Sequence, residues 1–435
     1  MRPPGLARDG LLSLIAITIV GGSAAVYSVV VGRVLGPTAL GHAGVALAIG
    51  LGGAQLSAAG IAPAITRFTA FRLAGGLASE ARRAVVLGVA AALGVGVGVA
   101  VGVVLSAPAW SARVGLPANL VAPAALLIAL QAAYIGLKAA LYGLGRVGAY
   151  AWAEVAGGVA FAAGLAAVLA GGPVSLIAPF LWANAAFGGA AAVACRGLGA
   201  RQAGRAGMGH WGLAARHTGS TAAGRSSVPS PTRFALIATV GSAAALARLQ
   251  LPVIVTAVAW PPAEVGRLGA ALAFLPPMLL VPRALELALL PALAGAWGLG
   301  DRGAFRQLLA RASRMTAASQ SLALAVLLIA GPRLLTTLFG PEFAAAGGAL
   351  RAVVVAAWAL GLAVPAVVAL SASDGVAVPN AAGVAGLGVS LIVWSVLVPT
   401  AGATGAAIGL AAGSLVNAGV PLAVAARRFG SGDGG

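Results

Sequence analysis

The chain is poor in charged residues, which make up only 8% of its 435 positions, and in aromatic residues, which make up 5%. It has one cysteine, Cys195, so an intramolecular disulfide is excluded. Lysine is almost absent, because Lys138 stands alone against 26 arginines. An average soluble domain carries about 25% charged residues, so this composition excludes an ordinary globular protein.

The chain consists instead of long apolar stretches separated by short polar breaks. Hydrophobic residues make up 60% of the sequence and glycine contributes 64 residues, as suits helices that pack through small faces in lipid. Most of the stretches exceed the roughly 18–20 residues that a helix needs to cross a bilayer. There are twelve of them: Leu11–Val31, Leu40–Ile65, Ala84–Ala107, Leu120–Tyr142, Ala149–Ala170, Val174–Ala194, Phe234–Ala259, Leu268–Ala292, Met315–Leu338, Ala349–Ser371, Val376–Val398 and Thr404–Ala425. We therefore predict an all-α integral membrane protein with twelve transmembrane helices.

The basic residues predict the orientation of these helices. With the N-terminus placed in the cytoplasm, 19 arginines fall on the inner side and five fall on the outer side, namely Arg33, Arg113, Arg267, Arg333 and Arg351. Basic loops resist translocation, so both termini are predicted to be cytoplasmic. The net charge of +18 is then largely a topology signal, with some attraction to anionic membrane lipids. No run interleaves basic and aromatic residues, so nucleic-acid binding is not predicted.

An internal repeat divides the spans into two groups of six. The segment 37–49 (PTALGHAGVALAI) reappears as 262–274 (PAEVGRLGAALAF), at an offset of 225 residues. A weaker echo relates 115–119 to 340–344 at the same offset. Because the repeat holds an even number of spans, the two halves enter the membrane in the same orientation, as parallel repeats. Two six-helix lobes are therefore predicted.

The predicted domain boundaries follow from this repeat. Residues 1–195 form an N-terminal six-helix lobe, residues 196–232 a cytoplasmic linker rich in Gly, Ser and Arg, and residues 233–435 a C-terminal six-helix lobe. Within the second lobe, residues 302–314 place apolar side chains on one face with arginines around it. That pattern predicts a short amphipathic helix in the inner membrane interface.

Three stretches resemble a known transporter family: RVLGPTALGHAGVALAIG (33–50), LFGPEFAAAGGALR (338–351) and VPTAGATGAAIGLAAGSLVN (398–417). In order and spacing they are similar to turns of the polysaccharide-export flippases of the multidrug/oligosaccharidyl-lipid/polysaccharide superfamily, which also contains the MATE exporters. The resemblance implies two lobes that alternate access across the plasma membrane. It implies a lipid-linked oligosaccharide on an undecaprenyl diphosphate carrier as cargo, moved from the inner to the outer leaflet, and other polysaccharide-assembly proteins as partners. No cofactor is implied, and coupling to H⁺, Na⁺ or the membrane potential stays open.

Few ionisable residues lie inside the predicted spans, where each costs about 2.5–3.5 kcal/mol on insertion scales and so needs a partner or a role. Arg248 lies near the middle of the seventh span, too deep to extend to the interface. Arg283 and Glu286 are three residues apart on the eighth span and hence share a face. Lys138 and Glu154 lie about one turn inside the fourth and fifth spans.

These five residues have a structural and a functional interpretation. Arg283 and Glu286 can simply neutralise each other, and Lys138 can either pair with Glu154 or extend to the inner interface. For Arg248 we favour a water-filled cavity and an anionic headgroup over pairing with Glu286. The predicted substrate-binding residues are therefore Arg248, Arg283 and Lys138. The predicted proton-coupling residues are Glu286 and Glu154.

Arg33 and Arg351 belong to turns at the outer face, where anchoring of helix ends is the first interpretation and a cargo gate the second.

Other functional classes find less support in the sequence. No metal-ligand spacing and no phosphate-binding loop of an ATP-driven pump is present. The outer loops offer only Glu264 and Glu342, so neither catalytic residues nor an enzyme is predicted. The nearest alternative is a cation-coupled multidrug exporter, although such exporters favour acidic or aromatic cavities.

Overall fold

The computed structural model describes residues 5–74, 76–172, 174–196, 231–373, 375 and 377–430, and within these ranges it contains helices and no strands. We number the α-helices in chain order. They are α1 (Gly5–Ala58), α2 (Ile61–Ala74), α3 (Ala78–Trp110), α4 (Ala118–Gly143), α5 (Val147–Leu169), α6 (Ala178–Arg196), α7 (Pro231–Ala259), α8 (Pro262–Leu272), α9 (Leu275–Gly298), α10 (Arg302–Phe339), α11 (Gly347–Ala372) and α12 (Ala377–Gly430). A short 3₁₀ helix, Pro341–Ala346, precedes α11.

The two longest helices each bend at a glycine. Helices α1 and α12 are 54 residues long, which corresponds to about 80 Å at 1.5 Å per residue, far more than one crossing of a bilayer requires. Gly36 breaks α1 at φ 82°, directly before Pro37, and Gly402 breaks α12 at φ 51°. Both angles lie in the left-handed region that favours glycine, so the chain changes course at these points without a side-chain clash.

The helices have the length and composition of membrane spans. Within the described residues, nine helical segments are long and apolar enough to cross a bilayer, and Ala243–Ala259 is a shorter apolar helix. The chain is therefore a multi-pass membrane protein. Two predicted spans contain interruptions that the apolar pattern does not mark. The second is broken at Ala59–Gly60, between α1 and α2, and the eighth is broken at Ala273–Phe274, between α8 and α9.

The described residues form two compact units. The first takes its described residues from within Met1–Val20, Ile49–Ala109 and Ala118–Ala243. In this unit α6 packs against α4 and α5, and α2 packs against α4. Several contacts are made through glycine, as where Gly96 of α3 lies against Ala132 of α4, the close approach that small residues permit between helices in lipid.

The second unit comprises Gly21–Ala48, Trp110–Pro117 and Ala244–Gly435. Helix α11 lies at its centre and packs against α9, α10 and α12. The division differs from the predicted boundary at residue 195, because residues 21–48 and 110–117 pack with the second unit rather than the first. Sequence order alone does not carry this information, since the middle of α1, residues 21–48, belongs to the second unit while both of its ends belong to the first.

Two more predictions concern the stretch 302–314 and the linker 196–232. Residues 302–314 are not a separate interfacial helix but the first turns of α10, which continues without a break to Phe339. The amphipathic stretch is therefore the start of a helix that is long and apolar enough to cross a bilayer. The predicted linker, 196–232, lies almost wholly outside the described residues.

Candidate functional site

The interior of the first unit contains a cluster of tyrosines around one acid and one lysine. Helix α4 places Tyr134, Lys138 and Tyr142 on one face, because they follow each other at four-residue intervals. Helix α5 adds Tyr150 and Glu154 at the same interval. Three of the four tyrosines in the chain and its single lysine therefore meet in one place.

Glu154 is the most deeply placed charge of this cluster. Its side chain is only 4% exposed, and its Oε1 accepts a hydrogen bond of 2.6 Å from the Tyr134 hydroxyl. The Lys138 Nζ lies 5.6 Å from the ring centre of Tyr134 and 5.2 Å from that of Tyr150. The ring faces attract the ammonium group. Lys138 and Glu154 therefore both contact the same tyrosine, Tyr134.

Helix α6 completes the cluster with Phe187. Its ring centre lies 4.4 Å from that of Tyr134 and 6.3 Å from that of Tyr150, and the Tyr142 and Tyr150 rings are 4.9 Å apart. The hydroxyl of Tyr150 is buried and has no hydrogen-bond partner within the described residues. The sequence indicated Lys138 and Glu154 but missed the tyrosines, although their four-residue spacing from the two charges was visible.

Arg248 lies on α7 in the second unit and is 2% exposed. Its Nη1 donates a hydrogen bond of 3.2 Å to the Oγ of Ser414 on α12. Its Nε is buried and has no hydrogen-bond partner among the residues that the structure describes. A guanidinium carries five N–H donors, so a single neutral hydroxyl leaves most of its charge and hydrogen-bonding capacity without compensation.

Arg283 and Glu286 lie on α9 and are both exposed. No ion pair within 4 Å joins Glu286 to Arg283 or to Arg248 in the part of the chain that the structure describes. Their spacing still puts them on one helix face. Arg283 and Glu286 therefore place two opposite charges on the exposed surface of α9.

The three family-like turns are brought together in the second unit. Arg33 of the first turn donates hydrogen bonds to the carbonyl oxygens of Thr337 and Leu338, the latter at 3.3 Å. These carbonyls end α10, directly before the second turn. A basic side chain at a helix C-terminus satisfies unpaired carbonyls and complements the helix dipole, so Arg33 holds the end of another helix. Arg351 is exposed in the first turns of α11.

The third turn is held by residues that flank the start of α8. Glu264 accepts hydrogen bonds from the Ala403 backbone N–H at 3.3 Å and from Arg267 Nη1 at 2.8 Å. The Trp260 indole N–H donates to the Val398 carbonyl at 2.7 Å. These contacts fix both sides of the bend at Gly402. The sequence identified Glu264 only as an outer acid, because nothing local to it marks a partner 139 residues away.

The repeated segments also contact each other within this unit. A Cβ placed on Gly41 would overlap the carbonyl oxygen of Pro262, and a Cβ placed on Gly266 would overlap the carbonyl oxygen of Pro37. These four residues are the first and fifth positions of the two repeats. The contact is therefore reciprocal, as in a two-fold interface where the same patch is used on both sides.

The described residues contain no group of three or more His, Cys, Asp or Glu side chains that could hold a metal ion. Among the residues that the structure describes, the buried charged side chains are Glu154, in the tyrosine cluster of one unit, and Arg248 in the other.

No family model and no curated protein sequence matches the chain, whereas solved transporter structures do. A multidrug resistance MATE family transporter of the MOP superfamily, in its inward-facing conformation, has a TM-score of 0.68 at 15% identity, with 95% of this chain and 94% of that chain covered. A MOP superfamily transporter from Pyrococcus furiosus, described as having a binding pocket of reverse polarity, has a TM-score of 0.65 at 14% identity, with 98% and 95% covered. An outward-facing MATE transporter reaches 0.60 at 16% identity, with 98% and 95% covered.

These similarities extend over nearly the whole length of each pair. The chain therefore has the fold of MOP superfamily transporters. At such low identity the likeness establishes the fold, while cargo, coupling and direction rest on the residues of this chain.

Proposed function

We propose that the chain is a transporter that flips a lipid-linked oligosaccharide from the inner to the outer leaflet of the plasma membrane by alternating access. It acts during the synthesis of cell-surface polysaccharide, alongside other polysaccharide-assembly proteins. The observation that carries this proposal is Arg248, a buried guanidinium whose Nε has no partner within the described residues, in a chain with the MOP fold. A cargo with a diphosphate headgroup supplies the missing charge and acceptors.

We propose twelve spans in two six-helix lobes with both termini in the cytoplasm. Dividing α1 at Gly36 and α12 at Gly402 adds two crossings to the nine segments found among the described residues, and the shorter apolar helix in α7 adds one more. The distribution of arginines supports the orientation.

Arg248, Arg283 and Lys138 are the residues that we propose to bind the cargo. A planar guanidinium donates two parallel hydrogen bonds to a phosphate, which an ammonium group cannot do. Arg283 is exposed on a membrane span, so its charge is available to a headgroup that moves past α9. Lys138 supplies a point charge held over the rings of Tyr134 and Tyr150, inside the first unit.

We propose that Glu154 and Glu286 supply proton coupling. Glu154 is nearly inaccessible and accepts a hydrogen bond from Tyr134. Adding a proton to it therefore changes the net charge of a buried polar cluster. Glu286 is exposed and lacks an ion pair within the described residues, so it can exchange a proton with an aqueous pathway.

We propose that the reciprocal contact of Gly41 and Gly266 closes the outer side in one state and separates in the other. At these two glycines the arms meet through backbone atoms, so this contact can part without repacking large side chains. Arg33 precedes the first of these arms and Arg351 lies in the first turns of α11; both are proposed to hold helix ends at this gate.

The decisive experiment is reconstitution of the purified chain in vesicles that contain a fluorescent undecaprenyl-diphosphate oligosaccharide. Flipping is measured as the fraction of label that becomes accessible to a membrane-impermeant quencher. We expect transport by the wild type and at least a tenfold lower rate for Arg248→Ala, with Arg113→Ala as the control that removes an outer arginine outside the proposed site. Equal rates with empty vesicles would refute the cargo assignment.

A cation-coupled multidrug exporter is the second candidate. Exposed Glu286 on α9 favours it, because an acid on a membrane span attracts organic cations. Efflux of a fluorescent cation that Glu286→Gln abolishes, with no oligosaccharide flipping, would assign the chain to this class.

A further inference from the structure

A small cavity lies where three helix ends of the second unit meet. It has a volume of about 280 Å³ and is lined by Trp297, Arg302, Phe305, Arg306, Arg428 and Phe429. Trp297 closes α9, Arg302 opens α10, and Arg428 lies in the last turn of α12. Three basic side chains thus share one cavity that the proposed flipping function does not use.

Three aromatic rings pack together at the floor of the cavity. The ring centres of Trp297 and Phe305 are 5.3 Å apart, those of Phe305 and Phe429 are 5.0 Å apart, and those of Trp297 and Phe429 are 6.0 Å apart. Phe305 and Phe429 are buried in a core cluster that includes Leu293. A floor packed in this way holds its shape when a ligand binds, which lowers the entropic cost of recognition.

Two of the three arginines, Arg302 and Arg428, lie near these rings. The Arg302 guanidinium lies 3.4 Å from the Trp297 ring centre, and the Arg428 guanidinium lies 5.6 Å from both Trp297 and Phe429. Stacking occupies the face of a guanidinium and leaves the N–H groups at its edge able to donate in the ring plane.

No carboxylate is among the residues that line the cavity. The described acid next to it in sequence, Asp301, accepts a hydrogen bond of 2.8 Å from the Ala304 backbone N–H and so caps the start of α10. Three arginines therefore share one small space whose described lining includes no acid.

The cavity lies at the ends of three segments that are long and apolar enough to cross a bilayer. The ends of such segments lie in the membrane–water interface, where lipid phosphates are found. Tryptophan and arginine at span ends are typical of that zone. Several arginines clustered beside spans attract anionic headgroups.

We propose that this cavity binds a phosphate group and that the headgroup of an anionic phospholipid supplies it. The guanidinium edges of Arg302, Arg306 and Arg428 bind the phosphate oxygens, and the lipid chains continue along the apolar sides of the helix ends. The bound lipid joins the ends of α9, α10 and α12.

The test uses the purified full-length protein, stripped of lipid in detergent and titrated with phosphatidylglycerol while bound lipid is counted by native mass spectrometry. We expect one tightly held phosphatidylglycerol and much weaker retention of phosphatidylcholine, whose headgroup is neutral overall. The Arg302→Gln/Arg306→Gln variant should bind phosphatidylglycerol roughly tenfold more weakly, because two arginines close to the phosphate are lost.

Arg311→Gln is the matched control, because Arg311 is exposed on the same helix but does not line the cavity. The conservative double variant Arg302→Lys/Arg306→Lys retains the charge and should recover part of the affinity. Thermal unfolding of each variant without lipid shows whether the fold is intact, so a loss of binding is not mistaken for a loss of structure.

Three results bear on the proposal differently. Equal phosphatidylglycerol binding by the Arg302→Gln/Arg306→Gln variant and by Arg311→Gln would overturn it. Binding of inorganic phosphate by the wild type, lost in the double variant and with no lipid retained, would keep the phosphate site and overturn the lipid as its source. Oligosaccharide flipping that fails in the wild type while lipid binding follows the pattern above would refute the proposed function alone.

Discussion

Gly41 and Gly266 occupy equivalent positions of the two repeats, and each packs against the proline carbonyl that begins the other repeat. Neither position has room for a Cβ: Gly41 faces the Pro262 oxygen and Gly266 faces the Pro37 oxygen. The repeat found in the sequence is therefore also a contact in the structure. Glycine is required here because the two backbones meet, not because of an unusual dihedral angle.

Replacing either glycine by alanine should force these two arms apart. We expect Gly41→Ala and Gly266→Ala to lower the thermal stability of the detergent-solubilised protein and to reduce transport, because backbone atoms cannot yield as a side-chain end can. If this contact closes the outer side, a cysteine introduced nearby should become more reactive toward an external thiol reagent in both variants.

Gly44→Ala is the matched control. A Cβ at Gly44 would meet its nearest neighbour, a methyl group of Val253, at 3.9 Å, an ordinary contact distance. Alanine at this position of the same helix should leave stability and transport near wild type. If Gly41→Ala behaves like Gly44→Ala, the reciprocal contact does not matter for function.

The apolar pattern was sufficient to predict an all-helical membrane protein, because the length of a span is set by the bilayer and is visible locally. The repeat 37–49 and 262–274 was visible as well. The sequence did not predict that residues 21–48 would pack in the second unit, or that α10 would begin at Arg302 as one long helix. The first depends on contacts between segments more than 200 residues apart, and the second on packing along the whole helix, neither of which a local pattern records.

The polar sites show the same limit. The cost of a charge in lipid singles out Lys138, Glu154 and Arg248 from the sequence alone. The partners of these residues, such as Tyr134 and Ser414, are ordinary polar residues whose role appears only when helices are packed. A sequence therefore identifies the charged residues that are costly to bury. It does not identify the polar groups that form hydrogen bonds with them.

The Tyr134 hydroxyl should matter more for stability than that of Tyr150. Tyr134→Phe removes the 2.6 Å hydrogen bond to the buried Glu154 carboxylate, a loss of about 1.5–3 kcal/mol for a bond to a charged group. Tyr150→Phe removes a buried hydroxyl that has no partner within the described residues, so stability should stay equal or rise slightly. Urea or thermal unfolding of both variants decides the matter, and equal destabilisation would contradict the assigned hydrogen bond.

Glu264 should stabilise the bend at Gly402 through its backbone contact more than through its ion pair. The pair with Arg267 is partly exposed, with side chains 34% and 21% accessible for Arg267 and Glu264, so it contributes at most about 1 kcal/mol. Glu264→Gln retains an acceptor for Ala403 and should cost little. Glu264→Ala removes that acceptor and should cost about 1–2 kcal/mol more. Equal unfolding temperatures for the two variants would mean that the backbone contact is unimportant.

At least one of the two acids inside the spans, Glu154 or Glu286, should set the pH dependence of transport. If coupling uses Glu154, Glu154→Gln fixes that side chain in a neutral form and flattens the rate against pH, while an amide still accepts the Tyr134 hydrogen bond. Glu286→Gln tests the second acid in the same assay. A double variant with an unchanged pH profile would eliminate proton coupling through either residue, and a Na⁺ gradient or the membrane potential should then be varied.

Arg248 should be needed for transport but not for stability. A buried guanidinium with one neutral partner and an unpartnered Nε is a poor stabilising group, and replacing buried charges by apolar side chains of similar size is often neutral or stabilising. We therefore expect Arg248→Met to unfold at the wild-type temperature or above it, while oligosaccharide flipping falls at least tenfold. Arg248→Lys should retain part of the activity, because it keeps the charge but loses the paired donors. Ser414→Ala removes only the neutral partner and should affect both measurements little. If Arg248→Met instead lowers the unfolding temperature and leaves the rate per folded protein unchanged, Arg248 serves packing rather than cargo.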